Sequence, residues 1–259
     1  MKAMRFNAKT AFYTLLMKEV HRFMKVAVHT VAAPVISALM YLLVFGAALN
    51  GKMLTGSSID YVGFLAPGLV MMAVLNNAFA NSSSSFIQSK ISGSLDFILM
   101  PPMGSLSVAG AYVLASAVRG LFVGACVWVG TLVWADFHCH NPAVILGFSL
   151  GACILMGSLG LIAAVLADRY EQMGLIQNFV VMPMTFLSGV FYSIESLPEI
   201  WQTVTRVNPI YYLIDGFRGG FIGLYETDPM LSLFAVTVCA TVSFTASVML
   251  LKSGYRLRK

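Results

Sequence analysis

One stretch of the sequence has the spacing of a phosphate-binding loop. Residues 46–53 fit the pattern GxxxxGK, but Met53 stands where such a loop has the Ser or Thr that binds magnesium. The stretch also ends an apolar run with no preceding strand, whereas a phosphate-binding loop joins a strand to a helix. We therefore interpret the match as chance and predict that ATP does not bind there.

A second group of chemically capable side chains is close together in sequence. Asp136, His138, Cys139 and His140 are all potential metal ligands. A solvated loop with incidental histidines is the favoured alternative, because no second ligand pair with a recognised spacing accompanies them. The sequence has no HExxH or GxSxG motif and no two carboxylates within one apolar run, so we predict no metal site and no catalytic residue in this chain.

The composition places these side chains in a membrane protein. Of 259 residues, 58% are hydrophobic and only 10% are charged, with a mean hydropathy of +0.82. That leaves too little polar surface for a soluble enzyme, a disordered scaffold or a protein that reads nucleic acid. The net charge of +5 is therefore interpreted through its placement along the chain rather than as a nucleic-acid signal.

Apolar runs of about 20 residues predict membrane-spanning helices. We predict an all-α membrane protein with a single transmembrane domain over residues 1–259 and six spans, at about 26–49, 61–87, 106–135, 143–167, 173–192 and 230–251. Before them, residues 8–25 have the period of an amphipathic helix, which we expect to lie along a headgroup layer. An ordinary soluble amphipathic helix is the alternative.

Basic residues set the orientation. The termini and the even-numbered connections carry twelve Lys and Arg, whereas the odd-numbered connections carry three. The positive-inside rule then places both termini in the cytoplasm.

A few polar side chains fall within the spans. Asn76 and Asn77 should face protein or a polar path, because amides are costly against lipid. Arg119 has two open interpretations: contact with an anionic substrate or an internal polar network, or extension to the inner surface if the true span begins near Gly120. Small residues recur at helical spacing, which indicates close helix packing within or between chains. They are Gly120 and Gly124, and Gly147 and Gly151.

Two connections contain internal order. The cytoplasmic one predicts a short helix near residues 92–99, stopped by Pro101 and Pro102, with apolar side chains that a cytoplasmic partner or the inner leaflet would cover. In the outer one, residues 196–199 suggest a capping box that opens one short helix, and residues 210–218 a second that ends at two glycines. Neither is long enough to cross, so both should be re-entrant or lie on the surface.

These two connections carry a family resemblance. The sequence resembles the ABC type 2 permeases, in the branch of nodulation-factor, polysaccharide and multidrug exporters, over nearly its whole length. The most specific matches are Phe186 to Tyr192, Leu197-Pro198, Asn208-Pro209-Ile-Tyr211 and Asp215-Gly-Phe-Arg218. Glu19 followed by Arg22, and Gly93-Ser94-Leu95-Asp96, also resemble family motifs, although the family usually has Glu where this chain has Asp96.

The resemblance implies a half-permease that forms a homodimer and is driven by two copies of a separate ABC ATPase. This chain would bind no cofactor itself, since ATP and Mg²⁺ would be held by the partner. The expected ATPase-coupling residues are Glu19, Arg22, Lys90, Gly93, Ser94, Leu95, Asp96 and Phe97. The expected substrate path and outer gate are Arg119, Asn76, Asn77, Phe186, Phe191, Tyr192, Pro198, Asn208, Pro209, Tyr211, Asp215 and Arg218.

The predicted function is outward transport of an amphiphilic, lipid-linked, saccharide or drug-like substrate across a bacterial inner membrane. Partners would be the lipid bilayer, a second copy and the ATPase, with no nucleic acid. One alternative is a secondary transporter driven by an ion gradient, which the lack of intramembrane acids disfavours. The other is a membrane assembly factor that transports nothing.

Overall fold

Helices make up the whole architecture of the described chain. The computed structural model describes residues 8–49, 60–100, 103–134 and 139–256, and it places no β-strand among them. In chain order the helices are α1 (Ala8–Met24), α2 (Ala27–Leu49), α3 (Tyr61–Ile91), α4 (Leu95–Leu99), α5 (Ser105–Thr131), α6 (Pro142–Leu166), α7 (Tyr170–Ile176), α8 (Met182–Phe186), α9 (Glu199–Val207), α10 (Pro209–Ile222) and α11 (Pro229–Ser253). The all-α prediction is confirmed. Lys52 and Met53, Pro101 and Pro102, and Asp136 and His138 lie outside the described residues.

Five helices are long and apolar enough to cross a membrane in the part of the chain that the structure describes. They are α2, α3, α5, α6 and α11. The predicted fifth span, 173–192, instead consists of α7, a π-helical segment (Gln177–Val181) and α8, which together cover 17 residues, or about 26 Å. Pro183 explains the break, because its missing N–H and its ring prevent regular α-helical hydrogen bonding with the preceding turn.

Helix α3 is the centre of the bundle. Within its most apolar stretch 78% of residues are buried, compared with 11% for α2. Glycines allow its close neighbours to approach: a side-chain carbon at Gly160 of α6 would lie 2.5 Å from the Phe79 carbonyl oxygen, and one at Gly120 of α5 would lie 3.2 Å from the Val74 carbonyl oxygen. Of the glycines predicted to allow close packing, Gly120, Gly124 and Gly151 face other helices of this chain, whereas Gly147 faces none of the described residues.

Helix α1 packs lengthwise against α5 and bonds to α3 through the side chains of Glu19 and Arg22. The Phe12 ring lies beside Gly110, and the Phe23 ring lies 6.0 Å from that of Phe122. Helices α1 and α5 therefore run side by side in the same direction. The amphipathic helix is confirmed, but its buried face includes Glu19 as well as the apolar Leu15 and Phe23. The sequence pattern alone had indicated an apolar face toward the membrane, whereas this face packs on protein.

The lengths of α3 and α5 exceed what a membrane requires. At 31 and 27 residues they measure about 46 and 40 Å, compared with about 30 Å of hydrocarbon. Because Phe23 contacts Phe122 and α2 begins at Ala27, the start of α2 is level with about residue 122 of α5. The first half of α5 and the Asn- and Ser-rich end of α3 therefore extend past that level, beside α1.

The outer connection forms two helices, as predicted, but with different ends. Helix α9 is capped by Pro198 without a side-chain hydrogen bond, while Ser196 lies in a preceding 3₁₀ turn and donates to the Ser193 carbonyl oxygen. The predicted capping box is wrong, because that turn moves Ser196 away from the helix start. Helix α10 continues past its two glycines and ends at Gly223, whose φ of +80° suits glycine.

Candidate functional site

A cluster of polar side chains joins α1, α3 and α5, and we call it the inner polar cluster. The α3 members recur every fourth residue and so share one face of that helix. The cluster comprises Glu19, Arg22, Asn77, Asn81, Ser85, Ser116 and Arg119.

Glu19 is the most deeply buried charged group of the cluster. Its side chain is 0% exposed; it accepts hydrogen bonds from Ser85 and from Arg22 (3.2 Å), and Lys18 lies 3.2 Å from its second oxygen. Arg22 also donates to the backbone and side-chain oxygens of Asn81, at 3.1 and 3.2 Å. This buried carboxylate holds α1 against α3, and the expected role of Glu19 in coupling to an ATPase stays a prediction.

Arg119 contacts the same face of α3 one turn further along. Its Nε and Nη2 both donate to the Asn77 side-chain oxygen, at 3.3 Å each. Asn76 points elsewhere, donating to the Met72 carbonyl oxygen. The geometry combines both interpretations of Arg119: the side chain enters an internal polar network, and it does so near the level at which α2 begins.

The short helix α4 presents a small exposed surface, which we call the α4 surface. It consists of Gly93, Asp96, Phe97 and Met100; Phe97 and Met100 are each 72% exposed. Gly93 has a φ of +71°, which makes the sharp turn out of α3 possible. Leu95 is buried and anchors α4, while Ser94 is half-buried and bonds within the turn.

Lys90 does not contribute to the α4 surface. Its ammonium group donates to the carbonyl oxygens of Val165 (2.9 Å) and Ala167 (2.7 Å) and pairs with Asp168 at 3.2 Å. A cation at the end of a helix satisfies the free carbonyl groups there. Lys90 therefore joins the end of α3 to the end of α6, and its expected role in coupling to the ATPase stays a prediction.

At the opposite end of α3, the predicted gate residues form a second network, which we call the outer clasp. Asp215 is its anchor: its two carboxylate oxygens accept the backbone N–H groups of Glu226 (2.9 Å) and Thr227 (3.0 Å). Burial raises the pKa of the Asp215 carboxyl to about 6, although those N–H groups and Arg218 favour its ionised form. Tyr211 completes this side of the clasp through its hydroxyl, 2.9 Å from that of Thr227.

Arg218 connects the clasp to α3. It is buried, donates to the Gly189 carbonyl oxygen at 2.5 Å, and stacks over the Phe64 ring at 3.6 Å. Asn208 caps α10 by accepting from the N–H of Ile210 and donates to the Met184 carbonyl oxygen at 2.6 Å; Pro209 follows as the first residue of α10. These buried side chains position the outer helices.

The aromatic residues of the predicted gate pack together. The rings of Phe186 and Phe191 stack at 5.3 Å, and Phe191 also contacts Tyr41 and Phe45 of α2. Tyr192 donates to the Phe186 carbonyl oxygen at 3.1 Å, while Pro198 is exposed at the start of α9.

Several residues of these networks were not among the predicted coupling, path or gate residues. In the outer clasp they are Tyr61, Phe64, Gly189, Glu226 and Thr227; in the inner cluster they are Asn81, Ser85 and Ser116. The polar period along α3 contained the signal for the inner set. The outer set is contributed by segments far apart in sequence, which no local spacing reveals.

Comparison with known proteins places these features in a family. The profile of the ABC-2 type transporter family matches residues 10–222, from α1 to the end of α10. The inner membrane transport permease YadH of Escherichia coli strain K12 is 35% identical over 234 residues, which cover 90% of this chain and 91% of that protein.

More distant relatives cover most of the chain as well. Nodulation protein J of Rhizobium meliloti strain 1021 is 26% identical over 88% of this chain and 87% of its own length. Nodulation protein J of Bradyrhizobium diazoefficiens is 22% identical over 80% of this chain and 79% of its own. With the bundle of long apolar helices, the length of the profile match shows that the chain belongs to the ABC-2 type transporter family, as a membrane transport permease subunit.

Proposed function

We propose that this chain is the membrane-spanning subunit of an exporter in a bacterial inner membrane, driven by ATP hydrolysis in a separate ABC ATPase. Two copies of the chain pair with each other and with two ATPase subunits, and both termini face the cytoplasm. ATP and Mg²⁺ are held by the ATPase. The similarity to YadH, an inner membrane transport permease, supports the location, and the resemblance of the sequence to its family supports the partner and the direction of transport.

The α4 surface is the observation that carries this proposal. Phe97 and Met100 are each 72% exposed, in and directly after the five-residue helix α4. Together they form a small exposed apolar patch beside the carboxylate of Asp96. Such an exposed patch suits a protein partner. The placement of many basic residues in the connections on this side of the chain supports a cytoplasmic location for that partner.

Helix α3 provides the route by which a push on α4 reaches the outer side. It is continuous from Ile91, beside α4, to Tyr61, whose hydroxyl donates to the Phe191 carbonyl oxygen at 2.9 Å. The Phe64 ring, on the same helix, contacts the guanidinium of Arg218 in the outer clasp. Rigid-body tilting of α3 would therefore move the clasp, provided that the ATPase binds α4 differently in its two states.

The proposed substrate is amphiphilic, lipid-linked, saccharide or drug-like, and it passes between two copies of this chain. Helix α2 supports the pairing, because its apolar face is largely uncovered within one copy. An apolar cavity of about 340 Å³, lined in part by Val74, Trp128 and Phe217, supports an apolar moiety in the substrate.

Replacing Phe97 by Asp tests the proposed partner contact. We expect Phe97→Asp to reduce recovery of the co-expressed ATPase with the purified chain by at least about tenfold, since an interface hot spot is worth about 2 kcal/mol or more. Asp96→Ala should also lower the substrate-stimulated ATP hydrolysis of the complex. Membrane insertion should be unchanged in both variants.

Val207→Asp is the matched control, because Val207 is 80% exposed on α9, at the other end of the molecule. It should leave recovery of the ATPase unchanged. Full ATPase recovery and full stimulation in both α4 variants would contradict the proposal. Transport by the purified chain with an ion gradient alone would establish the secondary-transporter alternative.

A further inference from the structure

Two guanidinium groups lie close together near the predicted inner boundary of the membrane. Arg22 bonds to Asn81 and Arg119 bonds to Asn77, and these two asparagines are one turn apart on α3. One turn is about 5–6 Å along the helix. The two cationic side chains therefore occupy neighbouring positions on one face.

Arg22 of this pair has a carboxylate partner in Glu19, whereas Arg119 has none among the described residues. Glu19 is the carboxylate of the inner polar cluster, and it already receives Arg22, Lys18 and Ser85. Within the described ranges Arg119 pairs with no carboxylate; its hydrogen bonds go to the amide oxygen of Asn77. The Arg119 guanidinium is half-buried, its partner is neutral, and a second cation lies beside it. Binding an anion there would therefore be favourable.

The depth of the pair indicates the kind of anion. The start of α2 is level with about Phe122, so Arg119 lies about 5 Å from the predicted inner edge of the hydrocarbon. Beyond it in the outward direction, α5 presents exposed apolar side chains at Phe122 and Val129. An anionic group bound at the arginines can thus continue into an acyl chain along α5.

We propose that Arg22 and Arg119 bind the phosphate head group of an anionic phospholipid from the inner leaflet. The guanidinium geometry suits two phosphate oxygens, and inner leaflets attract basic residues. The site requires neither the ATPase nor a transported substrate, so it goes beyond the proposed function. The bound lipid supplies the negative charge that the inner polar cluster lacks.

Lipid binding to the purified full chain tests this site. The chain in neutral detergent is mixed with equal concentrations of phosphatidylglycerol or phosphatidylcholine, and bound lipids are counted by native mass spectrometry. We expect phosphatidylglycerol to be preferred, and we expect Arg119→Gln to reduce that preference about fivefold, since a basic residue near the surface contributes about a factor of five.

The control is Arg206→Gln, which removes an exposed charge from α9 at the far end of the molecule and should leave the preference unchanged. Unaltered preference in Arg119→Gln, or an equal loss in Arg206→Gln, would overturn the proposal. Inorganic phosphate that displaces the lipid at an equal concentration would identify a site for free anions and would also overturn it.

A measurement on the unmodified chain keeps the proposal testable if Arg119→Gln fails to fold. The preference for phosphatidylglycerol should fall as sodium chloride is raised from 0.05 to about 0.5 M, because salt screens a partly exposed ion pair. A preference that does not respond to salt would contradict binding through the arginines. Neither measurement involves ATP hydrolysis, so failure of the transport proposal would leave its result unaffected.

Discussion

At the scale of single residues, the negative charge of Glu19 stabilises the packing of α1 on α3. Removing its carboxylate would leave Arg22 without its ion-pair partner and the Ser85 hydroxyl without its hydrogen-bond acceptor. We expect Glu19→Ala to lower the free energy of unfolding by about 3 kcal/mol, the magnitude for removing one partner of a buried ion pair. Thermal unfolding of the purified chain in detergent measures the effect.

Lys18→Ala is the comparison for that experiment, because the Lys18 side chain is 46% exposed and contacts the same carboxylate. It should change the stability by less than about 1 kcal/mol. A stable Glu19→Ala variant that no longer binds the ATPase would favour the direct contact that the sequence suggested.

Asp215 has the corresponding role in the outer clasp. Asp215→Ala would leave the partly buried N–H groups of Glu226 and Thr227 without their carboxylate acceptors, so we expect a loss of about 1 kcal/mol in stability. Glu195→Ala, an exposed acid in the same connection, should change stability by less than about 0.5 kcal/mol. Equal effects of the two substitutions on the unfolding temperature would show that the clasp does not stabilise the fold.

Residue types indicated where polar side chains had to be satisfied, but not by which partners. Because burying Arg119, Asn76 and Asn77 in lipid would be costly, the sequence predicted that they contact protein or lie where the chain leaves the membrane. Arg119 does bond to Asn77. The sequence placed Glu19 at a partner interface because motif position carries no information on burial. Its contact with Ser85 joins residues 66 positions apart, a separation that only the tertiary structure brings together.

At the scale of helices, the contact between α3 and α6 depends on Gly160. A side-chain carbon there would meet the Phe79 carbonyl oxygen at 2.5 Å, and a backbone atom cannot move aside as a flexible side chain can. We expect Gly160→Ala to destabilise the chain by about 2 kcal/mol through overpacking. Thermal unfolding in detergent is again the measurement.

Gly147 provides a matched control on the same helix, because no described residue of another segment lies within 4 Å of the position that its side chain would take. Gly147→Ala should leave stability unchanged or slightly higher. If both alanine variants unfolded at the same temperature, the close approach of α3 and α6 would not be a source of stability.

Hydropathy predicted the long helices well because lipid demands about 20 apolar residues per crossing. Helices α2, α3, α5, α6 and α11 all fall on predicted spans. The span at residues 173–192 stays a prediction, because the described helical segments there include a π-helical segment before Pro183 and are not among the five long helices. Hydropathy measures transfer to lipid and does not register the backbone hydrogen bonds that a proline removes.

At the scale of the whole molecule, two polar networks lie at different levels of one central helix. The inner polar cluster extends along α3 from its middle, at Asn77, to Ser85 near α4, and the outer clasp lies at the Tyr61 end of α3. Apolar packing against α5 and α6 occupies the length between them. This arrangement suits a permease in which an event at one surface is transmitted to the other by a rigid element.

The most direct test of ATP-driven transport is reconstitution of this chain with its ABC ATPase in liposomes that contain a candidate amphiphilic cargo. We expect outward movement of the cargo only when the chain, the ATPase and Mg-ATP are all present, and we expect Phe97→Asp to abolish that movement. Movement of cargo by the chain without the ATPase, or unchanged transport by Phe97→Asp, would contradict it.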